Sequence, residues 1–298
     1  MSARFKLGCV VLLLMMAVPA MAKARQAQTP RLEDKTLAVF GQTIHYWDIG
    51  AGPVVVLLHG LGSKKEDWLP VLAPLAQKYR LLIPDQIGFG HSDKPLMDYT
   101  IQTYVDFLNE FLRELKVEKA SLVGESLGGW ITAMYALEAA GSKRMVPVEK
   151  IVLVDAAGLS NPNALPPLNP GSLADMRRLM QAVFYDTSWL SDEQLAELFT
   201  EKLANHDGYT VHSLLSSFAV ASELMDSKLT KIQTPTLVVW GKQDALVPLS
   251  SGERYAAGIP GAKLVTFDKC GHVPPFEKTA EFVAAVTEFL SAAPGSAH

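Results

Sequence analysis

The stretch Ala120-Ser-Leu-Val-Gly-Glu-Ser-Leu-Gly-Gly129 decides the fold. An apolar strand predicted over 120–123 runs into Ser126, and an apolar helix is predicted from residue 127 to 140. Such a tight strand-to-helix turn strains the backbone of its central residue, and Gly124 and Gly128 let the chain turn without collision. The pattern predicts that the Ser126 hydroxyl projects above a sheet as a nucleophile, close to the first amides of the new helix. The alternative is a helix N-cap serine in a glycine-rich turn.

Strands and helices alternate on both sides of this turn. Strands are predicted at a hairpin over 36–47 and at 54–58, 80–83, 120–123, 151–154, 236–240 and 263–267. Helices are predicted at 66–78, 101–115, 127–140, 249–257 and 277–291. This alternation predicts an α/β fold with a mostly parallel central sheet and helices on both faces.

The alternation stops after the strand at 151–154. Four prolines between residues 158 and 170 mark a break, and residues 172–229 have helical spacing without strands. We therefore predict a helical cap over residues 158–230, hereafter the insert, which follows a late core strand at the edge where ligands usually bind. The core is then formed by 35–157 and 231–292, with a tail at 293–298.

The N-terminus has the three-part pattern of a secretory signal. Arg4 and Lys6 precede an uncharged apolar run from residue 7 to 20, and Ala20-Met-Ala22 offers small residues for cleavage. We expect a signal peptide at 1–22, a polar leader at 23–34, and an exported protein, periplasmic or secreted. The alternative is a retained anchor, although the apolar run is shorter than the ~20 residues that span a bilayer.

The composition excludes several classes of protein. With 298 residues, 49% of them hydrophobic and 19% charged, the chain is long and apolar enough to bury a large core. A formal net charge of −4 lacks the basic excess typical of nucleic-acid binding. Two cysteines exclude a disulfide scaffold and a cysteine-based zinc site, and signal cleavage leaves Cys270 alone.

A second motif, His59-Gly-Leu-Gly62, follows the predicted strand at 54–58. Glycine here lets the loop approach the nucleophile, and a free backbone N–H can form half of an oxyanion hole. We predict the amides of Leu61 and Leu127 as the two donors. The His59 side chain is interpreted as a hydrogen-bonded structural residue.

A serine nucleophile also needs an imidazole to take its proton and an acid to orient that imidazole. His272 lies in a loop just past the strand at 263–267, and Asp244 lies just past the strand at 236–240. The order Ser126, Asp244, His272 is the one expected for this architecture. Asp155 also ends a strand and is the rival acid.

Together these motifs resemble the α/β-hydrolase superfamily, from about residue 35 to 292. The matching pieces are His59-Gly60, the loop from Asp85 to Asp93, the serine turn, Gly241-Lys-Gln-Asp244 and Gly271-His272. The resemblance implies a capped serine esterase or lipase. The runner-up is the branch of meta-cleavage product (C–C) hydrolases, which residues 183–193 of the insert resemble.

Three departures separate the chain from that second branch. The branch usually has Asn before the serine, where this chain has Glu125, and Trp after the histidine, where it has Val273. It often anchors a substrate carboxylate with an Arg, and the matching position is Leu198. Arg177 and Arg178 are the alternatives for that role, although their pattern favours a solvated helix face. An export signal also fits poorly with an intracellular catabolic step.

We therefore predict an exported serine hydrolase that cleaves small, apolar carboxylic esters through an acyl-enzyme. It needs no metal and no other cofactor, binds no nucleic acid, and has no stable membrane span in its mature form. The oligomeric state is not predicted. Residues predicted to contact substrate are Phe89, Phe184, Trp189, Phe218 and Val273. A further alternative is an α/β-hydrolase fold that binds a ligand without turnover.

Overall fold

In the computed structural model, residues 32–161, 165–218 and 222–292 are described. The predicted signal peptide at 1–22, most of the leader and the tail at 293–298 therefore lie outside the described residues. The described strands form one sheet: β1 (Lys35–Val39), β2 (Gln42–Ile49), β3 (Val54–Leu58), β4 (Arg80–Pro84), β5 (Ala120–Glu125), β6 (Val148–Val154), β7 (Thr236–Gly241) and β8 (Lys263–Phe267).

The strand order in this sheet is β1-β2-β4-β3-β5-β6-β7-β8. The two pairs that involve β2 are antiparallel, and the pairs from β4 through β8 are parallel. Because neighbouring parallel strands share a direction, the carboxyl ends of β5, β6, β7 and β8 meet at one edge. Residues that follow these strands are thus brought together.

Helices cover both faces of the sheet. Their bounds are α1 (Leu69–Leu75), α2 (Ile101–Glu114), α3 (Leu127–Ala139), α4 (Leu173–Val183), α5 (Asp192–Ala204), α6 (Gly208–Ser217), α7 (Leu249–Gly258), α8 (Pro274–Glu277) and α9 (Thr279–Ser291). Along β3, Val56 and Leu58 join the core under α2, α3 and α7, whereas Val55 and Leu57 join the core under α1 and α9. The predicted mostly parallel sheet with two covered faces is confirmed.

Helices α4, α5 and α6 lie between β6 and β7 in the chain, within the insert. The Ser172 and Ser191 side chains accept hydrogen bonds from backbone amides at the starts of α4 and α5. Met176, Leu190 and Leu195 form a small apolar cluster within the insert, and α6 contributes Val211 and Leu214 to the main core. Among the described residues, no helix is long and apolar enough to cross a membrane.

Candidate active site

Ser126 occupies the turn between β5 and α3 with a strained backbone. Its φ of 53° and ψ of −114° fall in a region that residues with a side chain rarely adopt. The Ser126 amide donates to the Val154 carbonyl at 2.9 Å, and the Ser126 carbonyl accepts from the Ala157 amide at 3.0 Å. Hydrogen bonds with residues at the end of β6 therefore hold both the amide and the carbonyl of Ser126.

The glycines around Ser126 are required by close backbone contacts. A Cβ at Gly124 would lie 2.1 Å from the Gly128 carbonyl oxygen, and a Cβ at Gly128 would lie 2.2 Å from the Leu58 carbonyl oxygen. The first turn of α3 thus packs directly on the end of β3. A Cβ at Gly60 would lie 3.3 Å from Ser126 Cβ, so the loop after β3 runs beside the serine.

The His59 side chain fixes this loop through two hydrogen bonds. Its Nδ1–H donates to the Gly60 carbonyl at 2.8 Å, while its Nε2 accepts from the Gln86 amide at 3.0 Å. Burial lowers the pKa of His59, which keeps the ring in the neutral form that both bonds require. In a trans peptide the C=O and the next N–H point in opposite directions, so the Leu61 amide is turned away from His59.

The base and acid candidates meet at the ends of β7 and β8. Nδ1 of His272 lies 2.7 Å from Oδ2 of Asp244, and both side chains are buried. Asp244 Oδ1 accepts from the Leu246 and Val247 amides at 2.8 and 2.9 Å, which fixes the carboxylate. Nε2 of His272 is buried and has no hydrogen-bond partner among the described residues. The ring is thus oriented on one side and available on the other.

Two opposing effects act on the His272 pKa. Burial alone lowers it, because an imidazolium loses hydration, but the charge of Asp244 and the hydrogen bond to it act in the other direction. The net result is a pKa raised above 6.5. His272 is therefore a stronger base than an unperturbed histidine.

The His272 loop is also bound to the insert. The His272 amide donates to the Val183 carbonyl at 2.7 Å. Glu277 accepts from the Gly271 amide at 2.6 Å and from the Tyr185 amide at 2.8 Å, so one carboxylate joins the loop to the residues after α4. Sequence reasoning missed Glu277, since an acid five positions after the predicted base is equally typical of a solvated helix start.

The residues predicted to contact substrate are in different surroundings. The Phe184 ring meets the Trp189 ring edge-on with centroids 5.4 Å apart, and Phe184 belongs to the segment bonded to the His272 loop. Val273 directly follows His272. Phe218 packs on Trp130 of α3, with centroids 5.1 Å apart.

Phe89 is placed differently from the other four. It has no exposed surface and packs between His59 and Tyr104 in the main core. These contacts give Phe89 a packing role beneath the loop after β3. The sequence places Phe89 in the loop after β4 but does not show whether its ring faces a pocket or the core, because either orientation is compatible with that position.

Glu125 places an acid directly before Ser126 in the chain. It is buried at the end of β5, and burial raises its pKa to about 7 against the attraction of His272. A titratable carboxyl group therefore adjoins the candidate nucleophile.

The fold and this site define a hydrolase of the α/β class. The sequence model of the Alpha/beta hydrolase family matches residues 55–286. The chain therefore belongs to the alpha/beta hydrolase family, and the predicted resemblance is confirmed.

Similar proteins with specific names include a semialdehyde hydrolase, a phospholipase and a meta-cleavage product hydrolase. The 2-hydroxymuconate semialdehyde hydrolase of Pseudomonas sp. (strain CF600) is 32% identical over 268 residues, 84% of this chain and 91% of that protein. The crystal structure of a membrane phospholipase A, named as a bacterial virulence factor, has a TM-score of 0.78 at 26% identity and covers 87% of this chain and 86% of that one. A meta-cleavage product hydrolase has a TM-score of 0.77 at 30% identity, covering 87% and 98%.

The contact between α3 and β3 predicts the effect of a methyl group at Gly128. In Gly128→Ala the new Cβ meets the Leu58 carbonyl, and we expect a loss of about 1–3 kcal/mol or more in the free energy of unfolding. Denaturant unfolding followed by circular dichroism measures it. Gly171→Ala is the matched control, because its Cβ would meet no atom closer than 4.0 Å. Equal stability of the two variants would contradict this packing.

Proposed function

We propose that the protein is a serine hydrolase that cleaves carboxylic esters through an acyl-enzyme. The observation that carries the proposal is the Asp244–His272 hydrogen bond of 2.7 Å, with His272 Nε2 left without a partner among the described residues, at the sheet edge where Ser126 also follows the end of β5. In this mechanism Nε2 removes the Ser126 hydroxyl proton as Oγ attacks the ester carbonyl carbon. Asp244 stabilises the imidazolium that results.

The backbone supplies the oxyanion site. The Leu61 and Leu127 amides donate to the negative oxygen of the tetrahedral intermediate, and each donor is worth ~3 kcal/mol by analogy with oxyanion holes in general. The His59–Gly60 hydrogen bond supports the Leu61 assignment because it fixes that peptide plane beside Ser126. His272 then protonates the leaving alcohol, and a water that His272 deprotonates hydrolyses the acyl-enzyme to the acid.

The electrostatics favour a neutral substrate. The buried carboxyl group of Glu125 directly precedes Ser126, and above its pKa of about 7 its negative charge would repel a substrate carboxylate at this site. The arginines of α4 are paired, Arg177 with Asp192 and Arg178 with Asp175. The neutral carbonyl of an ester meets these surroundings better than a dienoate anion does.

C–C hydrolysis is the second candidate function. It is favoured by the names of two relatives, a semialdehyde hydrolase and a meta-cleavage product hydrolase, which share 30–32% identity with the chain. Against it, Leu198 packs with the insert's own apolar cluster, where the sequence comparison had sought an arginine. A binding protein without turnover is the third candidate.

Export belongs to the same proposal. The signal pattern at 1–22 supports cleavage near Ala22 and an enzyme that acts in the periplasm or outside the cell. Its substrate is then a small apolar ester available there. Phe184, Trp189 and Val273 are the proposed contacts for the acyl or alcohol group, because they lie on or next to the segment bonded to His272.

Loss of the Ser126 hydroxyl tests the nucleophile. We expect Ser126→Ala to lower kcat for a p-nitrophenyl ester by about 10⁴-fold or more, because no acyl-enzyme can form. Ser216→Ala, at an exposed serine of α6, is the control. Mass spectrometry after fluorophosphonate treatment should show one adduct on the wild type and none on Ser126→Ala. An unlabelled wild type would instead support the binding protein, and esterase activity in Ser126→Ala would overturn the assignment.

The raised His272 pKa predicts the acid limb of the pH profile. Only the neutral imidazole accepts the serine proton, so kcat/KM falls as the pH drops through the His272 pKa, and we expect a midpoint above 6.5. The measurement is kcat/KM for one ester across the pH range. His212→Asn, at an exposed histidine of α6, should leave the midpoint in place. A wild-type midpoint at or below 6.5 contradicts the Asp244–His272 pairing.

A substrate panel separates the first two functions. We expect p-nitrophenyl esters of increasing chain length to be hydrolysed with higher kcat/KM than a vinylogous 1,5-diketone that carries a carboxylate. The physical reason is the acidic environment around Glu125. Glu125→Gln removes the charge of the Glu125 carboxylate. It should therefore narrow the difference in kcat/KM between the esters and the diketone. Preference of the wild type for the diketone would make C–C hydrolysis the function.

A further inference from the structure

Asp155 lies at the carboxyl end of β6 with a left-handed backbone, at φ 41°, and has no exposed surface. Its Oδ1 accepts from the Gly241 amide at 3.0 Å. Its other oxygen, Oδ2, is buried and has no hydrogen-bond partner among the described residues. Ligand atoms of Asp155, Asp244 and His272 all lie within 4.8 Å of one another. Asp155, the alternative acid predicted from the sequence, therefore lies beside Asp244.

If the carboxyl groups of Asp155 and Asp244 were both ionised, neither would have a proton to donate to the other. Two carboxylates offer only acceptors, so their contact would be repulsive without a proton between them. Asp155 Oδ2 is buried and receives no N–H or O–H donor among the described residues. Asp244 accepts two amides on Oδ1 and the imidazole on Oδ2, which leaves Oδ2 able to accept one more bond.

We propose that Asp155 is a neutral carboxylic acid that donates its proton in a hydrogen bond to the Asp244 carboxylate. It is then a positioning residue, which acts on the reaction through Asp244 and His272. The inference rests on the proposed triad and adds a fourth member to it. One proton on Asp155 satisfies its buried oxygen and leaves a single negative charge on the acid pair.

The surroundings of Asp155 agree with this protonation state. Burial, followed by the charge of Asp244 and the hydrogen bond to it, raises the pKa of Asp155 well above its usual value. The other titratable groups that act on it are also acidic or uncharged: Glu125 raises the pKa further, and the Cys270 thiol has a raised pKa of its own. An ionised Asp155 would place a second negative charge beside the imidazole.

Two substitutions separate the neutral donor from an ionised group. In Asp155→Asn the amide N–H replaces the acid O–H toward Asp244, and the amide oxygen keeps the Gly241 bond. In Asp155→Leu both polar contacts are lost. We expect kcat/KM of Asp155→Asn to exceed that of Asp155→Leu by about tenfold or more, with the acid-limb midpoint of Asp155→Asn within about 0.3 unit of wild type. If Asp155 is ionised, Asp155→Asn removes a charge and lowers that midpoint by about one unit or more.

A measurement independent of activity completes the test. The infrared difference spectrum of wild type minus Asp155→Asn should contain the carbonyl stretch of a protonated carboxylic acid. The same difference should appear in a Glu125→Gln background, where Glu125, whose own pKa is raised to about 7, cannot contribute. Absence of the band from these differences, or a lowered midpoint, overturns the proposal even if Asp155→Leu fails to fold. Failure of the triad itself gives a different result, since the wild type would then escape fluorophosphonate labelling while the infrared band is unaffected.

Discussion

The structure of the site depends on the strained turn at Ser126. A residue with a side chain at φ 53° costs about 1–3 kcal/mol, and the surrounding contacts must hold it there. Hydrogen bonds to Val154 and Ala157 do so from one side, while the glycine-only contact between α3 and β3 does so from the other. The same contacts bring the start of α3 and the Gly60 loop together, so the geometry of the serine and that of its amide neighbours are set by one constraint.

The parallel strands impose the second level of organisation. Asp155, Asp244 and His272 come from chain positions far apart, yet they follow the adjacent strands β6, β7 and β8. Each is then fixed by backbone groups of its neighbours, such as the Gly241 amide on Asp155 and the Val183 carbonyl on His272. A buried network whose members satisfy one another is rigid, and a proton acceptor gains from that rigidity because its orientation need not be found in each turnover.

Much of this arrangement could be predicted from the sequence. The prediction of a strand at 54–58 has the observed bounds, since its continuous apolar run identifies a buried strand. The predicted strand at 263–267 also has the observed bounds, although its residues are exposed or half-buried in the last strand of the sheet. The grouping of Asp244 with His272 followed from the shared sheet edge. The proximity of Asp155 to Asp244 could not be predicted, because the sequence presented them as competitors for one role and their separation depends on loop conformation. The bridging role of Glu277 and the burial of Phe89 depend on loop paths in the same way.

The bond from the His272 amide to the Val183 carbonyl ties substrate access to chemistry. The insert also contacts the loop after β3 through the ion pair between Lys64 and Glu201. A displacement of the insert would thus break both the bond that holds the His272 backbone and the ion pair at the loop after β3. A change in the sequence of the insert would therefore alter the support of His272 unless residue 183 kept its carbonyl in the same place.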